Sequence, residues 1–437
     1  MSAILWPVTT PSILSTTDSE GRPATSTVSP DPADSESVPP ETPLVSDPGI
    51  PVELLLSRDS RAILDALLGE VGARTSDVKP VQVRYVPGRS VIVQYQGDVE
   101  WTDHTSKETL VIASGVDVPE ATLQLEVDDN RMAVWRYPRD PFLPGLEAAA
   151  DPTRVTKLLT DLGSPQQATN LRRRAYRPGR RAVIEAVAPS TRIFVKVVRP
   201  DRIAKIQSKH VTLAGQVPVP HSYGWSADLG LIALQAMAGK TLRSVLESGS
   251  RNLPGPEQIL GLLDALPMPA DDDVVAGPVA TASGHARLLR AIAPDLSGDI
   301  EGVVEAVAAA EDDEPVPVHG DFHSSQILVR GDHIVGLVDV DSAGAGLRAD
   351  DLAGLLGHLA TLSLTSSKRK GMSGYGTALI EAFDKQTDPR SLRLRTAAVI
   401  LGLATGPFRV QENVWPAATK RRIELATEWV DIAASSS

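Results

Sequence analysis

The sequence predicts an α+β chain folded as two lobes, one rich in strands and one helical. Short strand-like runs separated by turn residues dominate the first half, and helical periodicity dominates from Leu352 onward. Between these halves lies a polar cluster, VHGDFHSSQILVRG (Val318 to Gly331), with two histidines and an aspartate. The chain has no other comparable cluster, so this stretch is the leading candidate for a functional site.

Composition excludes several classes of protein. The 437 residues carry 43 Lys and Arg against 55 Asp and Glu, a net charge of −12, which argues against a dedicated binder of nucleic acid or of anionic membranes. The absence of cysteine excludes disulfides, thiolate nucleophiles and cysteine zinc sites. No secretory signal or bilayer-length apolar run is visible, so we expect a soluble cytoplasmic protein. The sequence leaves the oligomeric state open.

The first 49 residues are rich in Pro, Ser, Thr and Asp and predict a disordered tail. A helix followed by a hairpin then occurs twice. SRAILDALLGEVG precedes VRYVPGRSVIVQY, and DPTRVTKLLTDLG precedes RRAYRPGRRAVIEA, with Tyr85 and Tyr176 separated by the same 91 residues as Gly72 and Gly163. We interpret the shared offset as an internal duplication. Ser60 and Asp151 are the predicted N-caps of the two helices.

The two copies differ at one position that bears on chemistry. The second copy continues into a strand-like run, STRIFVKVVRP, which contains Lys196, whereas ETLVIASG in the first copy has no lysine. LIALQAMAGKTLRSVLESG then predicts a strand, a turn at Gly239 and a helix. The predicted units are the tail (1–49), an N-terminal cap domain formed by the degenerate copy (50–150), a strand-rich lobe (151–240) and a helical lobe (241–437).

The polar cluster continues into a predicted hairpin, SQILVRGDHIVGLVD, which turns at Gly331. The hairpin would bring Gln326 and Asp339 side by side, and their oxygens are ligands of the kind that Mg²⁺ prefers. Asp321, five residues before Gln326, would then be placed to accept a proton from a hydroxyl nucleophile. Together with a distant strand lysine, Lys196, these groups are the parts that phosphoryl transfer requires.

These residues resemble a known family. HGDFHSSQILV, VGLVDVDSAG and DDLAGLL are similar to the core motifs of the aminoglycoside phosphotransferase and choline kinase group, which has the protein-kinase-like fold. Gln326 stands where most members have Asn, and with the histidine two residues after the aspartate this is similar to actinobacterial maltokinases and glucosamine kinases. The resemblance extends from about Asp151 to the C-terminus.

The resemblance implies a role for each motif residue. Asp321 would be the catalytic base in a loop shaped by His319, and Gln326 and Asp339 would bind Mg²⁺. Lys196 would bind the phosphates of ATP, and the turn that contains Arg180 would cover them. The segment from Leu234 to Met237, including Gln235, would contact adenine. Asp351 would cap a helix or support the structure. The helix after Lys196 lacks the glutamate that protein kinases pair with this lysine.

Other residues keep two interpretations. His323 would contact the acceptor or order the catalytic loop, and Asp341 would be a second metal ligand, a substrate contact or a solvated turn residue. In GPFRVQENVWP, Trp415 is suited to stack on a sugar, and Arg409, Gln411 and Glu412 are suited to bind hydroxyls or amines. The alternative is a turn whose aromatic ring packs inside.

The leading prediction is an ATP- and Mg²⁺-dependent kinase whose acceptor is a small molecule, a sugar or amino sugar. Two alternatives stay open. One is a kinase that modifies aminoglycosides, which an acidic acceptor pocket would favour. The other is a pseudokinase that binds or regulates without catalysis, which the missing helix glutamate suggests.

Overall fold

A computed structural model of the chain describes residues 45–69, 72–127, 130–164, 170–189, 191–268 and 273–436. These residues form a strand-rich N-terminal half and a helical C-terminal half, so the predicted α+β, two-lobed class is confirmed. Residues 1–44 of the predicted tail lie outside the described part. Residues 45–49 contradict the tail boundary, because Val45 is buried and Asp47 accepts a hydrogen bond from the Tyr85 hydroxyl at 2.7 Å.

The first sheet follows two helices, α1 (Val52–Leu56) and α2 (Ser60–Gly69). Its five antiparallel strands have the spatial order β1-β2-β3-β5-β4. They are β1 (Arg74–Val86), β2 (Ser90–Glu100), β3 (Thr105–Ser114), β4 (Leu123–Val127) and β5 (Asn130–Arg136). Ser60 is not the predicted cap, because it lies within α2 and its hydroxyl donates to the Ser57 carbonyl.

The second sheet repeats this strand order as β6-β7-β8-β10-β9. Its elements are α3 (Leu146–Ala149), α4 (Pro152–Asp161), β6 (Asn170–Arg177), β7 (Arg181–Val187), β8 (Arg192–Val198), α5 (Pro200–Leu213), β9 (Ser222–Ser226) and β10 (Leu231–Gln235). Asp151 caps α4 as predicted, since it accepts a 2.7 Å hydrogen bond from the Arg154 amide. Helix α5 follows β8, whereas the corresponding stretch of the first copy has no helix.

The two copies also share a long-range motif that the sequence comparison did not find. In each copy an aspartate that precedes the helices accepts hydrogen bonds from the tyrosine hydroxyl and the glycine amide of the Tyr-x-Pro-Gly turn. The three residues are Asp47, Tyr85 and Gly88 in the first copy and Asp140, Tyr176 and Gly179 in the second. The aspartate therefore fixes the turn against the start of its own unit.

The two sheets pack face to face through a shared apolar cluster that contains Ile92, Trp135, Ile184 and Val195. Strand register identifies the first copy's counterpart of Lys196. Lys196 pairs with Val183, whose counterpart 91 residues earlier is Ile92, and Ile92 pairs with Ala113. Ala113 is buried in the shared cluster. The face of the first sheet that corresponds to the Lys196 face is therefore covered, because the second sheet packs against it.

The helical half contains nine helices in its described residues, and most of its core comes from them. They are α6 (Leu242–Glu247), α7 (Pro256–Asp264), α8 (Pro278–Ile292), α9 (Ser297–Val307), α10 (Arg348–Thr365), α11 (Arg369–Phe383), α12 (Pro389–Ala404), α13 (Gly406–Arg409) and α14 (Trp415–Ala434). No described helix combines the length and hydropathy needed to cross a bilayer.

Short strands carry the polar cluster at the boundary of this half. They are β11 (Lys240–Thr241), β12 (Val316–Val318), β13 (Ile327–Arg330), β14 (His333–Leu337) and β15 (Gly344–Gly346). The predicted hairpin is present, with Ile327 opposite Leu337 and the turn at Gly331. Gly331 has a φ of 65°, a conformation that a glycine adopts without strain.

Candidate active site

The loop that follows β12 is held by one buried carboxylate. Asp351, in the first turn of α10, accepts the His319 amide at 2.6 Å and the Gly320 amide at 2.9 Å. Gly320 has a φ of 78°, and a Cβ there would lie 2.5 Å from the Ser342 carbonyl oxygen, so only glycine fits. Burial raises the pKa of Asp351 to about 7, although the two amides act in the opposite direction. This bond pattern agrees with the structural role predicted for Asp351.

His319 connects the loop to the end of the hairpin. Its buried ring donates from Nε2 to the Val338 carbonyl at 3.1 Å and accepts the Asp321 amide at Nδ1 at 3.3 Å. Burial lowers the pKa of His319, so the ring stays neutral and both nitrogens keep these roles. Because both nitrogens are occupied, His319 orients Asp321 and does not face the cleft.

Lys196 lies where the two lobes meet, between the two aspartates that follow β14. Its Nζ is 2.6 Å from Asp339 Oδ1 and 2.5 Å from Asp341 Oδ2. Arg181 on β7 reaches Asp339 at 3.2 Å. Burial alone would raise the pKa of Asp339, but the Lys196 and Arg181 charges outweigh it and hold the pKa well below its usual range. These two aspartates are the ion-pair partners of Lys196 in this structure, and helix α5, which follows β8, contains no glutamate.

The same two carboxylates fit a divalent cation. They converge on a single positive group, the Lys196 ammonium, and Asp341 Oδ1 is buried with no hydrogen-bond partner among the described residues. Gln326 lies next to this pair in the fold, because its backbone carbonyl accepts a 2.9 Å hydrogen bond from the amide of Val338, which directly precedes Asp339. Its side-chain amide contacts His323 Nε2 at 3.2 Å, so His323 holds it in place. Carboxylate and amide oxygens are the ligand types that suit Mg²⁺.

Asp321 lies at the open side of this cluster, with half of its side chain exposed. Burial of the rest and the nearby Asp339 raise its pKa. His323 Nε2 lies 3.7 Å from Asp321 Oδ1, and the His323 ring stacks on His358 with ring centres 4.1 Å apart. Burial lowers the pKa of His323 to about 4 and that of His358 to about 3, so both rings are neutral at pH 7.

A pocket opens beside Asp321, between α8, α10 and α12. His285, His358 and Arg409 line it together with Asp350 and Asp351. The two aspartates are already engaged, because Asp350 pairs with Arg395 at 2.6 Å and Asp351 binds the loop amides. The sequence analysis missed His285 and His358. The signal for His358 was its spacing of seven residues from Asp351, which puts both on one face of α10.

The predicted acceptor residues are mostly elsewhere. Of the four, only Arg409 lines the pocket beside Asp321. The amide of Gln411 donates to the Phe408 carbonyl at 2.6 Å, and Glu412 is exposed outside the pocket. The Trp415 ring is 2% exposed and packs edge-on against Phe408, which favours the packed-ring alternative over stacking on a sugar. Burial of the apolar ring is more favourable than its exposure to solvent at this position.

The predicted adenine segment ends β10. The Gln235 amide donates to His221 and the Ala236 amide to Arg192, so both are committed to the sheet. The Met237 amide has no partner among the described residues, and its side chain lies against Gly336 on β14. Met237 is therefore the residue of this segment with a free donor, whereas the Gln235 side chain is exposed.

The turn between β6 and β7 lies over the same cleft. Asp140 accepts the Gly179 amide at 2.8 Å, and Arg199 Nε donates to the Gly179 carbonyl at 2.9 Å. Arg180 follows with an exposed side chain. The turn is thus fixed from both sides, and its arginines extend from a rigid base.

Comparison with known proteins agrees with this geometry. Residues 259–393 match the model of the phosphotransferase enzyme family (APH), and this segment contains Asp321, Gln326, Asp339 and Asp351 but not Lys196. The match confirms the predicted enzyme class, a small-molecule phosphotransferase. Together with the two-lobed architecture it also confirms the predicted protein-kinase-like fold. No curated protein matches the chain.

Several solved structures are similar in fold. A thermostable mutant of aminoglycoside phosphotransferase APH(4)-Ia, in ternary complex with ADP and hygromycin B, is 14% identical, with a TM-score of 0.45 over 63% of this chain and 98% of that one. Macrolide 2′-phosphotransferase type I is 14% identical, with a TM-score of 0.44 over 63% and 97%. A choline/ethanolamine kinase family protein from Mesorhizobium loti is 15% identical, with a TM-score of 0.43 over 65% and 92%.

Proposed function

We propose that this protein transfers the γ-phosphate of ATP, with Mg²⁺, to a hydroxyl of a sugar or amino sugar. The observation that carries the proposal is the convergence of Lys196 with Asp339 and Asp341 across the cleft from Asp321. Because ATP is a cytoplasmic substrate, the cytoplasm is the expected compartment. The similarity of Gln326 and His323 to sugar-kinase motifs supports the sugar acceptor.

Nucleotide binding falls to the second sheet and the hinge after it. Met237 offers a free amide to the adenine edge, and Lys196 offers its ammonium to the phosphates. Arg180, on the fixed turn, adds positive charge above the phosphates. Without nucleotide, Lys196 neutralises Asp339 and Asp341, so binding of the phosphates exchanges one set of anionic partners for another.

Asp339, Asp341 and Gln326 would hold Mg²⁺. The ion would neutralise charge on the phosphate oxygens during transfer. The protein contributes the two carboxylates from a rigid turn, because Asp339 has a left-handed backbone (φ 57°) between the hairpin and a 3-10 helix, Val340–Ser342. This conformation is unusual for a residue other than glycine and points both aspartates toward Lys196.

Asp321 acts as the proton acceptor for the acceptor hydroxyl. Its partly exposed carboxylate opens into the pocket lined by His285 and His358. Asp351 and His319 position its loop through the amides and the Val338 carbonyl. Such transfer depends mostly on positioning and charge stabilisation, so the rigid support of Asp321 matters as much as its basicity.

The first sheet acts as a cap domain that does not bind nucleotide. Ala113 replaces the lysine, and the corresponding face is covered by the second sheet. We retain 50–150, 151–240 and 241–437 as the cap, nucleotide and acceptor units, with the start of the cap moved to include residues 45–49.

The experiment that tests this function has two readings. Thermal unfolding with and without Mg²⁺-ATP measures nucleotide binding, and ADP release with a panel of sugars, amino sugars and aminoglycosides measures transfer. A kinase is stabilised by Mg²⁺-ATP and releases ADP only with its acceptor. A pseudokinase would show no acceptor-dependent release, and an aminoglycoside kinase would prefer the polycationic members of the panel.

A further inference from the structure

Four arginines converge at the junction of the cap, the nucleotide unit and the helical unit. Arg84 on β1, Arg177 at the end of β6, Arg180 on the β6–β7 turn and Arg409 at the end of α13 line one pocket. Helix α13 contacts β1, so the cap reaches across to the helical unit at this point. We call these four residues the arginine cluster.

The arginine cluster has no anionic partner. None of its four guanidinium groups forms an ion pair or a side-chain hydrogen bond within the described part of the chain. The nearby carboxylates are already bound. Asp339 is held by Lys196 and Arg181, and Asp140 accepts bonds from the Tyr176 hydroxyl and the Gly179 amide.

The cluster is electrostatically unfavourable without a ligand. Partial burial lowers the pKa of Arg177 and of Arg180, and neighbouring guanidinium groups, including that of Arg409, lower it further, whereas Asp339 acts in the opposite direction on Arg177. Burial and the charge of Arg180 likewise lower the pKa of Arg84. Like charges held together by three separate segments indicate a site whose missing component is an anion.

The cluster adjoins the acceptor pocket. Arg409 lines both this pocket and the one beside Asp321, so the cluster borders the pocket into which the Asp321 carboxylate opens. Asp350 and Asp351 of the acceptor pocket are engaged, which leaves Asp321 as its remaining carboxylate, whereas the arginines form no ion pair among the described residues. This distribution of charge disfavours a polycationic acceptor.

We infer that the acceptor carries an anionic group, a phosphate or a carboxylate, which Arg84, Arg177 and Arg409 bind while its hydroxyl lies at Asp321; Arg180, the fourth member, keeps its role above the ATP phosphates. Guanidinium groups suit both anions because they donate two parallel hydrogen bonds. The inference rests on the proposed kinase function and names its substrate class. It gives the cap domain a direct role, since Arg84 belongs to it.

The test compares matched acceptors on the full-length protein. Thermal shift with saturating Mg²⁺-AMP-PNP is measured for glucose, glucosamine, glucose 6-phosphate, glucosamine 6-phosphate and glucuronate, and ADP release is measured with Mg²⁺-ATP. Arg84→Gln is compared with Arg89→Gln, which alters an exposed arginine of the same sheet outside the pocket. We expect the anionic sugars to stabilise the wild type more than their neutral parents, and Arg84→Gln to weaken that effect about tenfold or more in apparent Kd.

Three outcomes would overturn the inference. The first is equal stabilisation by neutral and anionic sugars, and the second is equal behaviour of Arg84→Gln and Arg89→Gln. The third is an Arg84→Gln variant whose apparent Kd for Mg²⁺-ATP rises as much as that for the sugar, because the cluster would then serve the nucleotide. If wild-type protein shows no shift with Mg²⁺-AMP-PNP, the kinase function itself fails. Arg84→Lys keeps the charge and controls for a folding defect.

Discussion

Lys196 on β8 and Asp339 after β14 are 143 residues apart in sequence, and their charged atoms lie 2.6 Å apart. This pair joins the nucleotide unit to the helical unit at the centre of the proposed site. Lys196 and Asp339 are brought together only by the tertiary fold, so the ion pair forms only when both lobes are assembled.

Lys196→Met should lower kcat on the order of 100-fold, because the phosphates lose a charged donor aimed at them. It should also leave Asp339 and Asp341 without their positive neighbour. The apparent stability of the variant should therefore rise more steeply with Mg²⁺ than that of the wild type. Steady-state kinetics and thermal unfolding across a Mg²⁺ series measure both effects. Lys157→Met, on exposed α4 surface, is the control. A variant with wild-type kcat would remove Lys196 from the mechanism.

Asp321→Asn should reduce kcat about 10²- to 10⁴-fold, the usual contribution of a positioned general base. The melting temperature should hardly change, because the side chain is half exposed. Acceptor-dependent ADP release and thermal unfolding are the measurements. Asp332→Asn, at the exposed tip of the hairpin, is the matched control. Turnover by Asp321→Asn at the parental rate contradicts the assignment.

Asp351 should make stability depend on pH. Its pKa is about 7 in the folded protein, above its value of 3.8 in the unfolded chain, so the folded state binds the proton more tightly. This contribution is present in full below about pH 4 and is lost as the pH rises through about 7. The unfolding free energy of the wild type minus that of Asp351→Asn should therefore fall as the pH rises over that window. Denaturant unfolding at several pH values measures it, and a constant difference would refute the shift.

Tyr176→Phe and Tyr85→Phe form a matched pair. Each removes a hydrogen bond to the aspartate that fixes its turn, at a cost of about 1 kcal/mol in unfolding free energy, and Tyr176→Phe also removes the bond that the Trp135 indole donates to the Tyr176 hydroxyl. Only Tyr176 supports the turn that carries Arg180, so only Tyr176→Phe should raise KM for ATP. Denaturant unfolding and steady-state kinetics separate the two effects. An equal change in KM for both variants would mean that the turns are not distinct in function.

Trp415 should matter for stability alone. The ring is buried against Phe408, so Trp415→Ala should cost about 3–5 kcal/mol of unfolding free energy. Trp415→Phe keeps most of the packing and should leave KM for the acceptor unchanged. Chemical denaturation of the first variant and kinetics of the second provide the test. A large increase in KM for Trp415→Phe would restore the stacking role predicted from sequence.

The sequence predicted the features that are formed by residues close together in the chain. The hairpin at Gly331, the cap at Asp151 and the repeated Tyr-x-Pro-Gly turn all follow from residues a few positions apart. The spacing of Asp321, Gln326 and Asp339 likewise indicated a site, since a tight hairpin leaves little freedom in where its ends lie. These features require no knowledge of the rest of the chain.

Long-range contacts were not predictable in the same way. The link from Asp140 to Gly179 spans 39 residues, and the ion pair of Lys196 with Asp339 spans 143. Arg84 and Arg409 meet only because β1 contacts α13. For Trp415 the sequence left both a stacking and a packed ring open, because a single sequence does not reveal whether an aromatic ring faces outward.

Ala113 holds, in the first copy, the register position that Lys196 holds in the second. The face that carries Lys196 at the proposed site is, in the first sheet, a buried apolar contact that joins the two sheets. A lysine restored at position 113 would be enclosed among Ile92, Ala133 and the second sheet, where an ammonium could not find water or phosphate. A single substitution at position 113 therefore does not give the first copy a phosphate-binding lysine, and the role left to this face is to hold the two sheets together.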